Sequence, residues 1–163
     1  MVDKLSNLKG LLRGKVVIVG MGNTLKGDDG IGPILARNLK GKIDAEVLDC
    51  GVTPENYTAV IRRKEPGTIV IVDAVDLKLK GGAVRIIESS TVKDETFSTH
   101  NVSLRVFADF IKTETNASVI IIGVQPEKIG FGFPLSESAS QAIKLLEKAI
   151  IDIIPKKETA CTR

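Results

Sequence analysis

Residues 15–40, KVVIVGMGNTLKGDDGIGPILARNLK, decide the fold. Lys15-Val-Val-Ile-Val-Gly20 is a short apolar run ending in glycine, the pattern of a strand buried on both faces. A glycine-rich loop follows. From Ile31 to Lys40 the apolar residues Ile31, Ile34, Leu35 and Leu39 recur at helical spacing until Gly41 stops the helix. Strand, glycine loop and helix open an α/β unit, and the rest of the chain keeps alternating in the same way.

Ile43 to Leu48 alternates as a second strand. Thr53-Pro54-Glu55-Asn56 offers an N-cap, a proline at the first helical position and an early acid, so Pro54 to Lys64 reads as a helix. Thr68-Ile-Val-Ile-Val-Asp73 is the third and most clearly buried strand. Gly81-Gly82 turns the chain into a fourth, Ala83 to Glu88. The stretch between them is too short for a crossover helix, so the fourth strand should run antiparallel to the third. Asn101 to Thr113 carries two apolar stripes, Val102/Val106/Phe110 and Leu104/Phe107/Ile111, and reads as a helix. Ala117 to Val124 is a fifth buried strand, and Glu137 to Ile154 is a last helix before Pro155. The expected class is α/β: a single domain with a mostly parallel five-stranded twisted sheet, one antiparallel strand and helices on both faces. Residues 1–14 form a polar, leucine-bearing N-terminal segment, 15–154 the α/β domain, and 155–163 a polar tail.

Composition narrows the function. A chain of 163 residues can bury a core without disulfides, and its two cysteines, Cys50 and Cys161, match no metal-ligand spacing. Cys50 reads as a small core residue in a reducing compartment. The N-terminus alternates charge with leucine and lacks a signal-peptide core, and no apolar run is long enough for a bilayer, so a cytoplasmic protein independent of membranes is expected. Lys and Arg number 23 against 20 Asp and Glu, a net charge of +3 spread along the chain. With 4% aromatics, neither a basic stripe nor a stacking platform for nucleic acid is present.

Ligands of open α/β sheets bind beyond the carboxyl ends of the parallel strands. The first strand runs into Asp28-Asp29-Gly30, the second ends at Asp49-Cys50-Gly51, the third ends at Asp73-Ala74 with Asp76 close behind, and the loop after the fourth ends Ser98-Thr99-His100-Asn101. Carboxylates and the chain's only histidine therefore converge on one edge. A dinucleotide fingerprint begins at Gly20-x-Gly22 but meets Leu25 where glycine or alanine is needed, and the two aspartates ahead of the helix repel a pyrophosphate. There is no P-loop ending and no Gly-x-Ser-x-Gly elbow. Cys50 is a poor nucleophile beside the negative Asp49. An acidic loop favours a cation, and two carboxylates with one imidazole suit zinc, nickel or iron; His100 could equally pair with Asp73 as a proton relay. Each residue alone has a plainer use. Asp28 or Asp29 suits the helix dipole, Asp73 or Asp76 a turn, the glycines a tight bend, and His100 a cap. Only Asp73, ending so apolar a strand, calls for a reason by itself.

Gly20-Met-Gly-Asn-Thr-Leu-Lys-Gly-Asp-Asp-Gly30 closely resembles the opening motif of the [NiFe]-hydrogenase maturation endopeptidases, G-x-G-N-x-x-x-x-D-[DE]-G. Asp73-Ala74 resembles the family's second acidic site and Ser98-Thr99-His100-Asn101 its S-T-H motif. Gly51-x-x-Pro54-Glu55-Asn56 is similar to the hydrogenase-3-type subgroup. The resemblance implies an endopeptidase that removes the C-terminal extension of the nickel-loaded large-subunit precursor. It also implies that Asp29, Asp73 and His100 are its catalytic, metal-contacting residues, with Asp49 at a further acidic position. The cofactor implied is nickel supplied by the substrate precursor, with another divalent metal such as zinc as an alternative in vitro. The partner is that precursor, and a monomer is expected. Two rival classes are a nucleotide- or small-ligand-binding domain and a non-catalytic nickel-sensing chaperone.

Overall fold

The computed structural model describes residues 5–89 and 102–157. Its elements are α1 (Leu8–Leu11), β1 (Val16–Met21), α2 (Ile31–Leu39), β2 (Glu46–Gly51), α3 (Thr58–Arg63), β3 (Thr68–Ala74), β4 (Val84–Glu88), α4 (Val102–Thr115), β5 (Ser118–Val124) and α5 (Glu137–Ile153). The strands form one sheet in the order β2-β1-β3-β5-β4, parallel except for β4.

Strict in-and-out alternation of Val and Ile makes the layers. Ile18, Val70 and Ile120 stand abreast on β1, β3 and β5 and enter a core shared with Leu35 and Leu39 of α2 and Ile143, Leu146 and Ile150 of α5. One residue earlier, Val17, Ile69 and Val119 point to the opposite face, into a core with Ile61 of α3 and Leu104, Phe107 and Ile111 of α4. Helices thus cover both faces, as the continuous apolar strands require. Each such fully buried side chain contributes about 1.5–3 kcal/mol relative to exposure. Leu5 and Leu8 extend the first core, and Thr68 Oγ accepts from the Arg13 amide at 2.7 Å and donates to the Arg13 carbonyl at 2.8 Å. That clip joins the N-terminal segment to the start of β3.

Four details differ from the sequence expectation. β4 is antiparallel, but its hydrogen-bonded neighbour is β5, which inserts between it and β3. The second strand begins at Glu46 rather than Ile43, because β1 offers no partner before Val17. Ile43 instead bridges to Pro155 beyond α5. Thr53 makes no cap hydrogen bond; Pro54–Tyr57 is a tighter 3-10 turn, and the α-helix starts at Thr58, whose hydroxyl donates to the Glu55 carbonyl at 2.7 Å. α4 runs two residues past Thr113, to Thr115. Among the described residues no helix is long and apolar enough to cross a membrane.

β1 connects to β2 on one side of the sheet, whereas β3 and β5 lie on the other. The strand order therefore reverses between β1 and β3, and the crevice beyond their carboxyl ends is where α/β sheets place ligands. The loop after β1 carries Asp29, and the carboxyl end of β3 carries Asp73.

Candidate active site

Close packing of backbone on backbone sets the loop after β1. Gly22 has φ +134°, its amide donates to the Gly51 carbonyl at 2.9 Å, and a Cβ there would stand 1.8 Å from the Asp29 carbonyl oxygen. No L side chain fits that position. The space over Gly22 is filled by the Asp29 backbone, which leaves no cradle for a pyrophosphate. The Asn23 amide donates to Asp29 Oδ2 at 3.1 Å, and Asp29 lies in the 3-10 turn Asp28–Gly30 that leads into α2. The carboxylate is half-buried and faces the crevice.

Asp73 is the penultimate residue of β3 and one Oδ accepts from the Ala74 amide at 2.8 Å. Burial, and then the negative charge of Asp29, push its carboxyl well above the usual range; the Ala74 hydrogen bond offsets this only in part. Asp29 and Asp73 line one cleft of about 520 Å³. Its other walls are Met21, Val52 and Pro54 on one side and Val106, Phe107 and Phe110 of α4 on the other, with Glu55 at the rim. Acid and apolar groups line it together with Ser103, and among the described residues no lysine or arginine does. Of the two apolar stripes read on α4, Leu104, Phe107 and Ile111 pack into the core; Val106 and Phe110 remain 62% and 43% exposed and form the cleft wall.

Asp49, Cys50 and Asp76 do not line this cleft. His100 lies outside the described residues, as does the rest of Ser98-Thr99-His100-Asn101. Ser103, next to that motif in sequence, lines the cleft at the start of α4. Among the described residues no three His, Cys, Asp or Glu side chains gather as a metal site. Asp49 is occupied elsewhere: Arg37 Nε donates to it at 2.7 Å from α2, and the Gly51 amide donates at 3.2 Å. Asp76 forms a turn, accepting from the Lys78 amide and pairing with the Lys78 ammonium, which holds its carboxyl below the usual range. Cys50 is buried, and burial together with Asp49 pushes its thiol up to about 12, leaving no thiolate for nucleophilic attack at neutral pH.

Asp28 has a use that the sequence does not announce. It is fully buried, and its carboxylate accepts from the amides of Glu127 (2.7 Å), Lys128 (3.1 Å) and Ser136 (2.7 Å) and from the Ser136 hydroxyl (2.8 Å). Burial alone raises its carboxyl, but the Ser136, Glu127 and Lys128 donors outweigh burial and hold it below the usual range. Ser136 is also the N-cap of α5, accepting from the Ala139 amide at 3.1 Å. The aspartate expected to serve a helix dipole instead ties the loop after β1 to the loop after β5. The only signal in the sequence is the Asp28-Asp29 pair itself, since one of two neighbours in a turn faces inward.

This is an α/β protein whose switch-point crevice presents two convergent carboxylates to a cleft with apolar walls. Residues 31–153 match the family model described as hydrogenase maturation protease. The hydrogenase 3 maturation protease of Escherichia coli K12 is 36% identical over 131 residues, 78% of this chain and 83% of that protein. The crystal structure of the [NiFe] hydrogenase maturation protease HycI from Thermococcus kodakarensis KOD1 superposes with a TM-score of 0.81 at 32% identity, covering 90% of this chain and 97% of that one. The solution structure of the endopeptidase HycI from E. coli gives 0.74 at 34% identity, over 83% and 88%. The chain belongs to the hydrogenase maturation protease family, the peptidases that remove the C-terminal extension of a hydrogenase large subunit, and to its hydrogenase-3 type.

Proposed function

We propose that this protease cuts its large-subunit precursor only after nickel has been seated there, with Asp29, Asp73 and His100 completing the coordination of that nickel. One observation carries the reading: Asp29 and Asp73 converge on one cleft whose walls are apolar and which, among the described residues, no lysine or arginine lines. Two carboxylates so placed are poorly compensated within the chain and well compensated by a cation. The apolar walls suit a polypeptide segment delivered with it. His100 would supply the nitrogen ligand; it stands three positions before Ser103, which lines the cleft.

Nickel is part of the substrate in this account. Held by Asp29, Asp73 and His100, it would supply Lewis-acid chemistry to the scissile peptide or to a water molecule. An empty precursor offers the three side chains nothing to hold, so cleavage reports loading. Zinc is the expected substitute when the protein alone is exposed to divalent ions. The protein is proposed to act as a cytoplasmic monomer. Its near-balanced charge of +3 supports a role without nucleic acid.

The test is tail removal from the loaded precursor by the wild-type protein, by Asp29→Asn and by His100→Ala, followed on gels. Wild type should shorten the precursor and both variants should lose at least about 10–100-fold in rate, the loss that even an outer-shell change at a metal site brings. A variant that matches wild type removes its residue from the ligand set; an intact precursor after incubation with wild type contradicts the proposed activity.

A further inference from the structure

We infer that Asp28 is a positioning residue for the cleavage reaction, holding the Asp29 carboxylate in fixed relation to the loop after β5. The inference rests on the reading given under Proposed function and extends it to a residue that does not face the cleft.

Asp28 and Asp29 share one 3-10 turn, so whatever fixes Asp28 also fixes the backbone from which Asp29 projects. The fixation comes from about 100 residues away. Three amides and one hydroxyl of the segment Glu127–Ser136 converge on the Asp28 carboxylate, and the Asp28 amide donates back to the Lys128 carbonyl at 3.0 Å. Gly27 pairs with Ile129 in the same contact, and a Cβ on Gly27 would meet the Lys128 carbonyl at 2.8 Å. The two loops therefore move as one body.

The far side of Asp29 shows why this matters. Asp29 lines not only the cleft it shares with Asp73 but a second one, of about 550 Å³, walled by Glu127, Lys128 and Ile129. Asp29 is the ridge between the two, and Asp28 sets its distance from the second wall. A peptide lying across the carboxylates must continue on both sides of the bond that breaks. Placement errors of about 1 Å at such a point cost of order 100-fold in rate.

Asparagine cannot replace Asp28. Oδ2 accepts from Glu127, Lys128 and the Ser136 hydroxyl, and Oδ1 from the Ser136 amide, so an NH₂ at either position faces donors. The experiment compares Asp28→Asn with Leu8→Ala, a core truncation at the amino end of the strands, and with Ser136→Ala, which removes one of the four donors. Each is assayed on loaded precursor at a temperature where circular dichroism shows it folded, and kcat and KM are measured separately. Asp28→Asn should lower kcat about 10–100-fold. Leu8→Ala should lower Tm and keep kcat within about 3-fold, as expected for lost core packing away from the site. Ser136→Ala should fall between them. A folded Asp28→Asn with the kcat of Leu8→Ala overturns the inference. If Asp28→Asn does not fold, an unchanged kcat for Ser136→Ala overturns it equally, and an intermediate kcat sustains it. Failure of wild type to cut the precursor removes the proposed function and this inference together.

Discussion

Asp73→Asn is expected to slow tail removal from loaded precursor by at least about 100-fold, the upper range for disturbing a metal ligand through its neighbours, while making the isolated protein more stable at neutral pH. The two effects have one origin. Asp73 ends a strand buried on both faces, and burial and Asp29 together push its carboxyl well above the usual range. A raised folded-state pKa means that the native protein binds this proton more tightly than the unfolded chain does. The stability gained is complete below the unfolded pKa and is lost as pH rises through the folded one. At pH 7 Asp73 therefore costs stability that a cation would restore. Asparagine keeps the shape and can still accept from the Ala74 amide, but it carries no charge. Its Tm should exceed wild type by a few degrees at pH 7, at about 2–4 °C for each kcal/mol relieved in a chain of this size. The difference should shrink toward zero near pH 4. Thermal unfolding at both pH values, beside the cleavage assay, measures this. A variant that is destabilised at pH 7 contradicts the electrostatic account of Asp73.

Gly22→Ala should abolish cleavage and destabilise the fold at once. A methyl there would stand 1.8 Å from the Asp29 carbonyl oxygen, and φ of +134° is itself strained for any L side chain. The collision is with backbone, so no rotamer change relieves it. The chain must open either the Gly22–Gly51 hydrogen bond or the turn that carries Asp29. The second route displaces the Asp29 carboxylate, and the first shifts the backbone next to Asn23, whose amide holds that carboxylate. The expected loss is about 3 kcal/mol or more, in the range of the severe backbone substitutions. Urea unfolding and cleavage rate read the two consequences separately. Wild-type activity in a stable Gly22→Ala protein would show that the loop does not set Asp29. Were the protein instead to bind a nucleotide that Gly22→Ala weakens, the glycines would have the cradle role that the packing denies them.

The sequence made the sheet legible because Val and Ile fill both faces of β1, β3 and β5, and a run such as Thr68 to Asp73 has no other use. Strand-end aspartates then point to the site, since Asp29 and Asp73 follow neighbouring parallel strands. Other features depend on contacts distant in sequence. Nothing in Ala83 to Glu88 says that β5, thirty residues later, will pair with it in place of β3. Ile43 belongs to the alternating pattern and leaves the strand only because β1 has not yet begun opposite it. Asp28 looks like half of an acidic pair, and its four donors arrive from across the fold. Val106 and Phe110 read as ordinary helical apolar residues; only the packing of α4 shows that one stripe is core and the other is cleft wall. Asp49 has the same strand-end signature as Asp73, and Arg37 on α2 takes it out of the cleft.

Nickel in the precursor is proposed to license the cut. The direct measurement is the intact mass of the partner large subunit, nickel-loaded and nickel-free, before and after incubation with this protein. The loaded form alone should lose a C-terminal peptide. Equal shortening of both forms would contradict the nickel requirement, and an unchanged mass of the loaded form would contradict cleavage itself.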